Sequence, residues 1–199
     1  MQKLGEIVAN FSIPPHPSGI SMEGKFVKLS PLITDEFALD LFRANSADKK
    51  NENWTYLPYG PFLSLDEYTR WIKSLESKND PVFFAIINKN SNKAVGLASY
   101  LRINREHASI EVGHINFSPL LQKTTPATEA MYLMMKWVFD NGYRRYEWKC
   151  NSLNLKSRRA AQRLGFSYEG IFRQMNISKG RNRDTAWYAV IDKEWKEIK

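Results

Sequence analysis

The stretch 108–117 constrains the fold more than any other, because its apolar residues change phase partway along. Ile110 and Val112 lie on one side of an extended chain, whereas Ile115 and Phe117 lie on the other. Side chains alternate strictly along a strand, so one buried face cannot hold both pairs unless a residue is inserted between them. A β-bulge near Gly113-His114 resolves the conflict, bending the strand and leaving part of its backbone without ladder partners. The run that follows, opened by Pro126 and closed by Asn141-Gly142, carries Met131, Leu133, Met134, Met135, Trp137, Val138 and Phe139. Such a run is apolar nearly all round and predicts a helix buried on several sides.

The flanking periodicities arrange the rest of the chain around this pair. Phe26–Leu29 reads as a first strand, and Thr34 as the cap of a helix bearing Phe37, Leu41 and Phe42. A loop holding Trp54, Tyr56, Pro58, Tyr59, Gly60 and Pro61 leads to a second helix from about Leu65 to Ser77. Val82–Ile87 is a continuous apolar strand, which the polar turn Asn88–Asn92 folds back into Ala94–Leu101 as a hairpin. Beyond the buried helix, Arg145–Cys150 alternates as a strand, and Asn154 caps a short helix that Gly165 stops after Leu164. Two further strands, about 166–176 and 184–192, complete the order βααβββαβαββ. That order predicts a mixed α/β domain with antiparallel hairpins first and one strand–helix–strand crossover later, unlike a doubly wound sheet. Residues 1–24, with Pro14-Pro15-His16-Pro17-Ser18-Gly19, read as an N-terminal arm, and 25–199 as a single domain.

Charge and composition bound the function. The net charge is +8, and between Tyr143 and Arg183 eleven Lys and Arg face only Glu147 and Glu169, so that window alone carries +9. A surface of this kind attracts polyanions, whether a phosphorylated cofactor or a nucleic acid. Interleaved Tyr146, Trp148, Tyr168 and Phe172 keep a ribosome- or nucleic-acid-binding module as a rival reading, but no recognised nucleic-acid motif accompanies them, and nucleic acid is not the expected partner. No apolar stretch approaches the roughly 20 residues of a membrane helix, and the N-terminus lacks a secretory apolar core, so no membrane partner is expected. The single cysteine, Cys150, allows no internal disulfide and suits a reducing cytoplasm. His16, His107 and His114 are too dispersed to suggest a metal site.

Two segments resemble the GNAT superfamily of acyl-CoA-dependent N-acyltransferases. Ile110-Glu111-Val112-Gly113-His114-Ile115-Asn116-Phe117-Ser118-Pro119, followed by Gln122-Lys123-Thr124-Thr125-Pro126-Ala127-Thr128-Glu129-Ala130, is similar to its acyl-CoA-binding strand–loop–helix. Asn154-Leu155-Lys156-Ser157 with Arg163-Leu164-Gly165-Phe166 is similar to its second signature. Both match best the branch that acetylates the N-termini of ribosomal proteins. The resemblance spans roughly Phe26 to Trp195. It implies one GNAT domain, a mostly antiparallel sheet with a central splayed strand pair between helices. It also implies transfer of an acetyl group from acetyl-CoA to a primary amine, on a protein N-terminus or a small molecule, by direct attack and without metal. A GNAT fold that binds acyl-CoA without catalysis is the alternative, and another acyl group such as succinyl is permitted. A homodimer is compatible with the sequence.

The same resemblance assigns roles. The loop entering the buried helix (Gln122, Lys123, Thr124, Thr125, Ala127 and Thr128) would hold the pyrophosphate, because a helix N-terminus offers free N–H groups and a positive dipole end. Thr125 stands where the family usually has the first glycine of this loop. Ile115, Asn116 and Phe117 would pair with the pantetheine arm, and a backbone N–H near His114 or Ile115 would stabilise the oxyanion. Many members place a tyrosine four residues before the Gly-Phe pair; Ala161 occupies that place, and Ser157, beside Asn154, is the expected proton donor to the departing thiolate. Glu111 and His114 are the candidate bases. The ribosomal-protein branch suggests an acidic residue on the following strand, where this chain has Arg173-Gln174-Met175-Asn176. Trp54, Tyr56 and Tyr59 are expected to wall the acceptor cleft.

Overall fold

The computed structural model describes residues 2–198, and its elements follow the apolar periodicities closely. Strands β1 (Met22–Glu23), β2 (Val27–Pro31), β3 (Val82–Asn88), β4 (Lys93–Asn104), β5 (Ser109–Phe117), β6 (Arg145–Asn151), β7 (Ser167–Ser178) and β8 (Arg181–Ile191) form one sheet in the order β1-β2-β3-β4-β5-β6-β8-β7. Every neighbouring pair is antiparallel except β5 and β6, which run parallel. The parallel pair is the crossover expected from strand 108–117, the buried helix and strand 145–150. Helices are α1 (Thr34–Asn45), α2 (Leu65–Lys73), α3 (Thr125–Asp140), α4 (Leu155–Arg163) and α5 (Asp192–Ile198).

Alternation along β3 shows why its apolar run is unbroken. Val82, Phe84 and Ile86 join one core with Ile110, Val112, Tyr146, Trp148 and the α3 residues Met131, Met134 and Val138. Phe83, Ala85 and Ile87 join the other, with Leu41 of α1 and Tyr68 and Ile72 of α2. A strand covered on both faces needs apolar residues at every position. The second face changes character past β4. There β5, β6 and β8 present Glu111, Glu147, Lys149, Arg183, Thr185 and Trp187, a polar floor in place of a second core.

Local chemistry departs from expectation at several ends. Thr34 is the first residue of α1 and not its cap; Ile33 precedes it in extended conformation, and the Thr34 hydroxyl donates to Glu76 at 2.8 Å. Helix α2 stops at Lys73, short of Ser77. Thr124 caps α3, its hydroxyl accepting from the Ala127 N–H at 3.3 Å. Asn154 caps α4 as expected, accepting from the Ser157 N–H at 3.1 Å. Gly165 ends α4 at φ +90°, where a Cβ would also press on Ile198 of α5 at 3.0 Å.

Two elements were not foreseen. Strand β1 lies inside the segment read as an arm, and α5 continues past the last strand to bury Trp195 against Phe139, with ring centroids 5.4 Å apart. The arm is also tied to the fold earlier: the Pro14 carbonyl accepts from Arg105 Nε (2.7 Å) and the Pro15 carbonyl from the Tyr143 hydroxyl (3.0 Å).

Candidate active site

The phase switch in β5 is a bulge. Leu97 pairs with Asn116 and Ser99 with Gly113, so two steps on β4 are matched by three on β5. His114 takes up the excess at φ +50°. On its other edge, β5 pairs with β6 only from Ser109/Arg145 to Val112/Trp148. Beyond that point the two parallel strands part, and the sheet opens along a seam between Gly113–Phe117 and Lys149–Asn151.

A cavity of about 1540 Å³ passes through this seam. Glu111, His114, Ile115, Asn116, Phe117, Gln122, Lys123, Thr124, Thr125, Ala127, Thr128, Asn154, Ser157 and Tyr56 all border it. The sequence-derived site is thus largely gathered in one place. Trp54 and Tyr59 do not line the cavity. Trp54 is 3% exposed and packs edge-on against Phe62 and Trp71 in the second core, behind the wall it was expected to form. Tyr59 reaches the site indirectly, its hydroxyl 2.9 Å from His114 Nδ1 and its ring stacked on the imidazole.

The loop between α1 and α2 closes over the seam from several sides. Gln122 Nε2 donates to Asn53 Oδ1 (2.6 Å) and to the Phe117 carbonyl (2.7 Å), fixing the loop to the end of β5. Across the opening, the Tyr56 hydroxyl donates to the Leu153 carbonyl at 3.2 Å, and Lys179 of the β7–β8 turn donates to the carbonyls of Trp54 (2.8 Å) and Gly60 (3.1 Å).

On the α3 side the opening is lined by unpaired backbone donors and cations. Among the described residues, no protein acceptor takes the N–H groups of Lys123, Thr124 or Thr125, and these cluster at the positive end of a 16-residue helix. Lys123, Lys156, Arg159 and Arg163 border the same stretch, with Arg163 Nη1 donating to the Thr128 hydroxyl at 3.2 Å. Asn116 lies close by, 1% exposed, and neither polar atom of its side chain has a protein partner. Buried amides seldom go unpaired, so the position fits a ligand bearing its own amides or hydroxyls.

At the centre, Ser157 Oγ accepts from Trp148 Nε1 at 3.0 Å and keeps a proton that it can donate. Burial pushes the neighbouring Cys150 thiol up, opposed by its hydrogen bond to Ser157, so the thiol stays protonated and unreactive.

The second face is a charge network. Glu111 is 3% exposed and meets Arg102 Nη1 at 2.7 Å and Lys149 Nζ at 2.9 Å. Burial raises its carboxyl above the ordinary range, and these two cations oppose the rise. Lys149 also contacts Glu147 (2.7 Å) and sits 3.9 Å over the Trp187 ring. Burial lowers His114 to about 4, with Arg102, Lys78 and Arg183 adding to the effect, so the imidazole is neutral near pH 7. Arg102, Trp148, Lys149 and Arg183 are site residues that sequence reasoning missed. Alternation placed Lys149 on one face of its strand, but only the parallel register with β5 brings it to Glu111. No group of three or more His, Cys, Asp or Glu side chains is placed to hold a metal ion among the described residues.

Comparison with known proteins agrees with this geometry. Residues 27–167 match the family model described as an acetyltransferase (GNAT) domain. A GCN5-related N-acetyltransferase from Brucella melitensis, known from its crystal structure, is 42% identical, with TM-score 0.93 over 96% of this chain and 87% of that one. An uncharacterised N-acetyltransferase of Bacillus subtilis is 27% identical over 145 residues, 70% of this chain and 81% of its own. The resemblance to ribosomal-protein acetyltransferases is distant. A Vibrio cholerae structure described as a ribosomal-protein-serine acetyltransferase is 16% identical at TM-score 0.74, over 86% of this chain and 97% of its own, a likeness of fold alone. With the family model spanning most of the sequence and a solved relative matching nearly all of it, the chain belongs to the GNAT acetyltransferase family.

Proposed function

We propose that this protein transfers an acetyl group from acetyl-CoA to a primary amine by direct attack. The observation that carries the reading is the seam itself, a gap through the sheet with an anion cradle on one side and a charged floor on the other. Acetyl-CoA would supply the activated thioester, its phosphates against the Lys123–Thr125 N–H groups, the Lys123 side chain and the cations of α4. The pantetheine arm would take the ladder position that β6 vacates and pair through its amides with the exposed edge of Gly113–Phe117, next to the unpartnered Asn116 side chain. Backbone donors at the bulge would stabilise the developing oxyanion.

Ser157 is the proton donor to the leaving thiolate. A free thiol titrates near ~8.5, so donation speeds departure without being indispensable. Glu111, with its raised carboxyl, is the better base: through water it takes the proton of the incoming ammonium, leaving the neutral amine to attack. His114 is already neutral, but a group that titrates near 4 drives proton removal from an amine weakly. An α-amino group, near ~7.7–8.0, needs less help than lysine near ~10.4, which favours a terminal amine over a lysine side chain.

The test is binding followed by turnover. Acetyl-CoA at millimolar concentration should raise the melting temperature by mass action, and a panel of amines should release CoA thiol. Folded protein that shows neither a thermal shift nor calorimetric heat with acetyl-CoA would overturn the proposal.

A further inference from the structure

The charges on the second face do not balance. Arg102, Lys149 and Arg145 are met by Glu111, Glu147 and Glu169 in a linked set of ion pairs. Arg183 is left over. It borders the cavity and is partly buried, its Nε is fully enclosed without a hydrogen-bond partner, and no carboxylate among the described residues lies within ion-pair distance. A guanidinium has five donors and no acceptor, and holding it away from water with an empty donor is unfavourable unless an anion meets it.

Its surroundings are built the same way. Thr185, two residues along β8 and therefore on the same face, is 4% exposed, borders the cavity, and has a hydroxyl without a partner. Asn176, paired with Arg183 across the β7–β8 ladder, borders the cavity as well. These are donor-bearing groups gathered at one end of the opening.

The anion is not one of the CoA phosphates. Lys123 lies in the loop before α3, and Lys156, Arg159 and Arg163 lie in α4; both helices pack on the opposite face of the sheet, through Ala130, Met134 and Ala161. Arg183 shares the face of Trp187 and Lys149, which pair with each other across β6 and β8, and of Glu111. That is the side from which the amine must approach.

We propose that the acceptor amine carries an oxyanion, a carboxylate or a phosphate, and that Arg183 with Thr185 binds it. This rests on the acetyltransferase reading above. Arg183 is then a specificity-determining residue, on the same face of the sheet as Glu111.

The experiment compares matched acceptors that differ only in the anion: phosphoethanolamine against ethanolamine, amino acids against their amides, and peptides beginning with Asp against peptides beginning with Asn. Rates are expressed per neutral amine. One anionic member should exceed its neutral counterpart in kcat/KM by roughly tenfold or more, as a charge-assisted bidentate contact allows. Arg183→Gln should collapse that ratio, Arg183→Lys should keep part of it, and both variants should bind CoA within about threefold of wild type. Which pair responds tells carboxylate from phosphate. Equal rates within every pair, or a preference that survives Arg183→Gln, overturns the proposal. A second measurement does not depend on turnover. With CoA saturating the cradle, acetate and inorganic phosphate, at the tens of millimolar where weak ion pairs form, should move the Arg183 Nε–H resonance, assigned by its loss in Arg183→Gln. An unmoved resonance overturns the anion site even if acetylation is found; a moved one upholds it even if no amine in the panel reacts.

Discussion

Ser157 and His114 border the same opening, and their surroundings assign them opposite tasks. The Trp148 indole donates to the Ser157 hydroxyl, which keeps that hydroxyl able to act as a donor. Ser157→Ala should therefore lower kcat by about 10- to 100-fold where chemistry limits the rate, with the CoA dissociation constant within a few-fold of wild type. Unchanged pre-steady-state acetyl transfer would reduce Ser157 to a helix first-turn residue. His114 is held down from 6.5 to about 4 by burial, so the native state binds fewer protons than the unfolded chain between those values. Its contribution is fully present above about pH 6.5 and disappears as pH falls toward 4, amounting to roughly 3 kcal/mol if the whole shift is realised. Glu111, whose carboxyl is raised, acts in the opposite sense in wild type and variant alike. Urea melts from pH 7 to pH 4 should thus show a shallower loss of stability in His114→Asn, a residue that tolerates the positive φ. That Ser157, His114 and Glu111 border one cavity was legible because motif and strand position converge on them. Trp54 was not, since an aromatic in a loop reads alike whether it faces a cleft or a core, and its side chain turns inward onto Phe62 and Trp71.

Among the elements, the bulge in β5 was readable from alternation alone, because a one-residue slip in register moves every later side chain to the other face. The elements that escaped notice are those whose stability comes from distant partners. Strand β1 is two residues long and exists because the carboxylate of Glu129, on α3, accepts from three successive N–H groups at Lys25 (2.8 Å), Phe26 (2.7 Å) and Val27 (2.8 Å). The turn also needs Gly24, where a Cβ would fall 2.4 Å from the Glu129 carboxyl carbon. No local pattern reveals an anchor 102 to 104 residues away. Glu129→Gln can accept but carries no charge, and it should cost about 1.5–3 kcal/mol in denaturant unfolding at constant m, the range for hydrogen bonds to a charged group. A loss below ~0.5 kcal/mol would show that β1–β2 docks without this anchor. Helix α5 was overlooked for a similar reason: only Trp195 within it is apolar and buried, too little to set a period.

For the molecule as a whole, the family and fold were accessible because strand, loop and helix recur in a fixed order, whereas the acceptor end was not. Arg102, Lys149 and Arg183 come from three strands that meet only through the register of the folded sheet. That register has a dynamic consequence. Strands β1–β5 and β6–β8 are joined by four paired positions, Ser109/Arg145 to Val112/Trp148, with α3 lying across the join. Two sub-globular units held by so short a ladder should open against each other more readily than either unfolds, and amide hydrogen exchange reports such openings. Protection in the free protein should fall from Ile110 toward Phe117 along β5, and from Tyr146 toward Asn151 along β6. Acetyl-CoA, filling the missing rungs, should slow exchange on both sides at once, including amides it never touches. Uniform protection along β5 in the free protein would mean that the halves breathe as one body; a gradient erased by the co-substrate would make it a removable cross-brace.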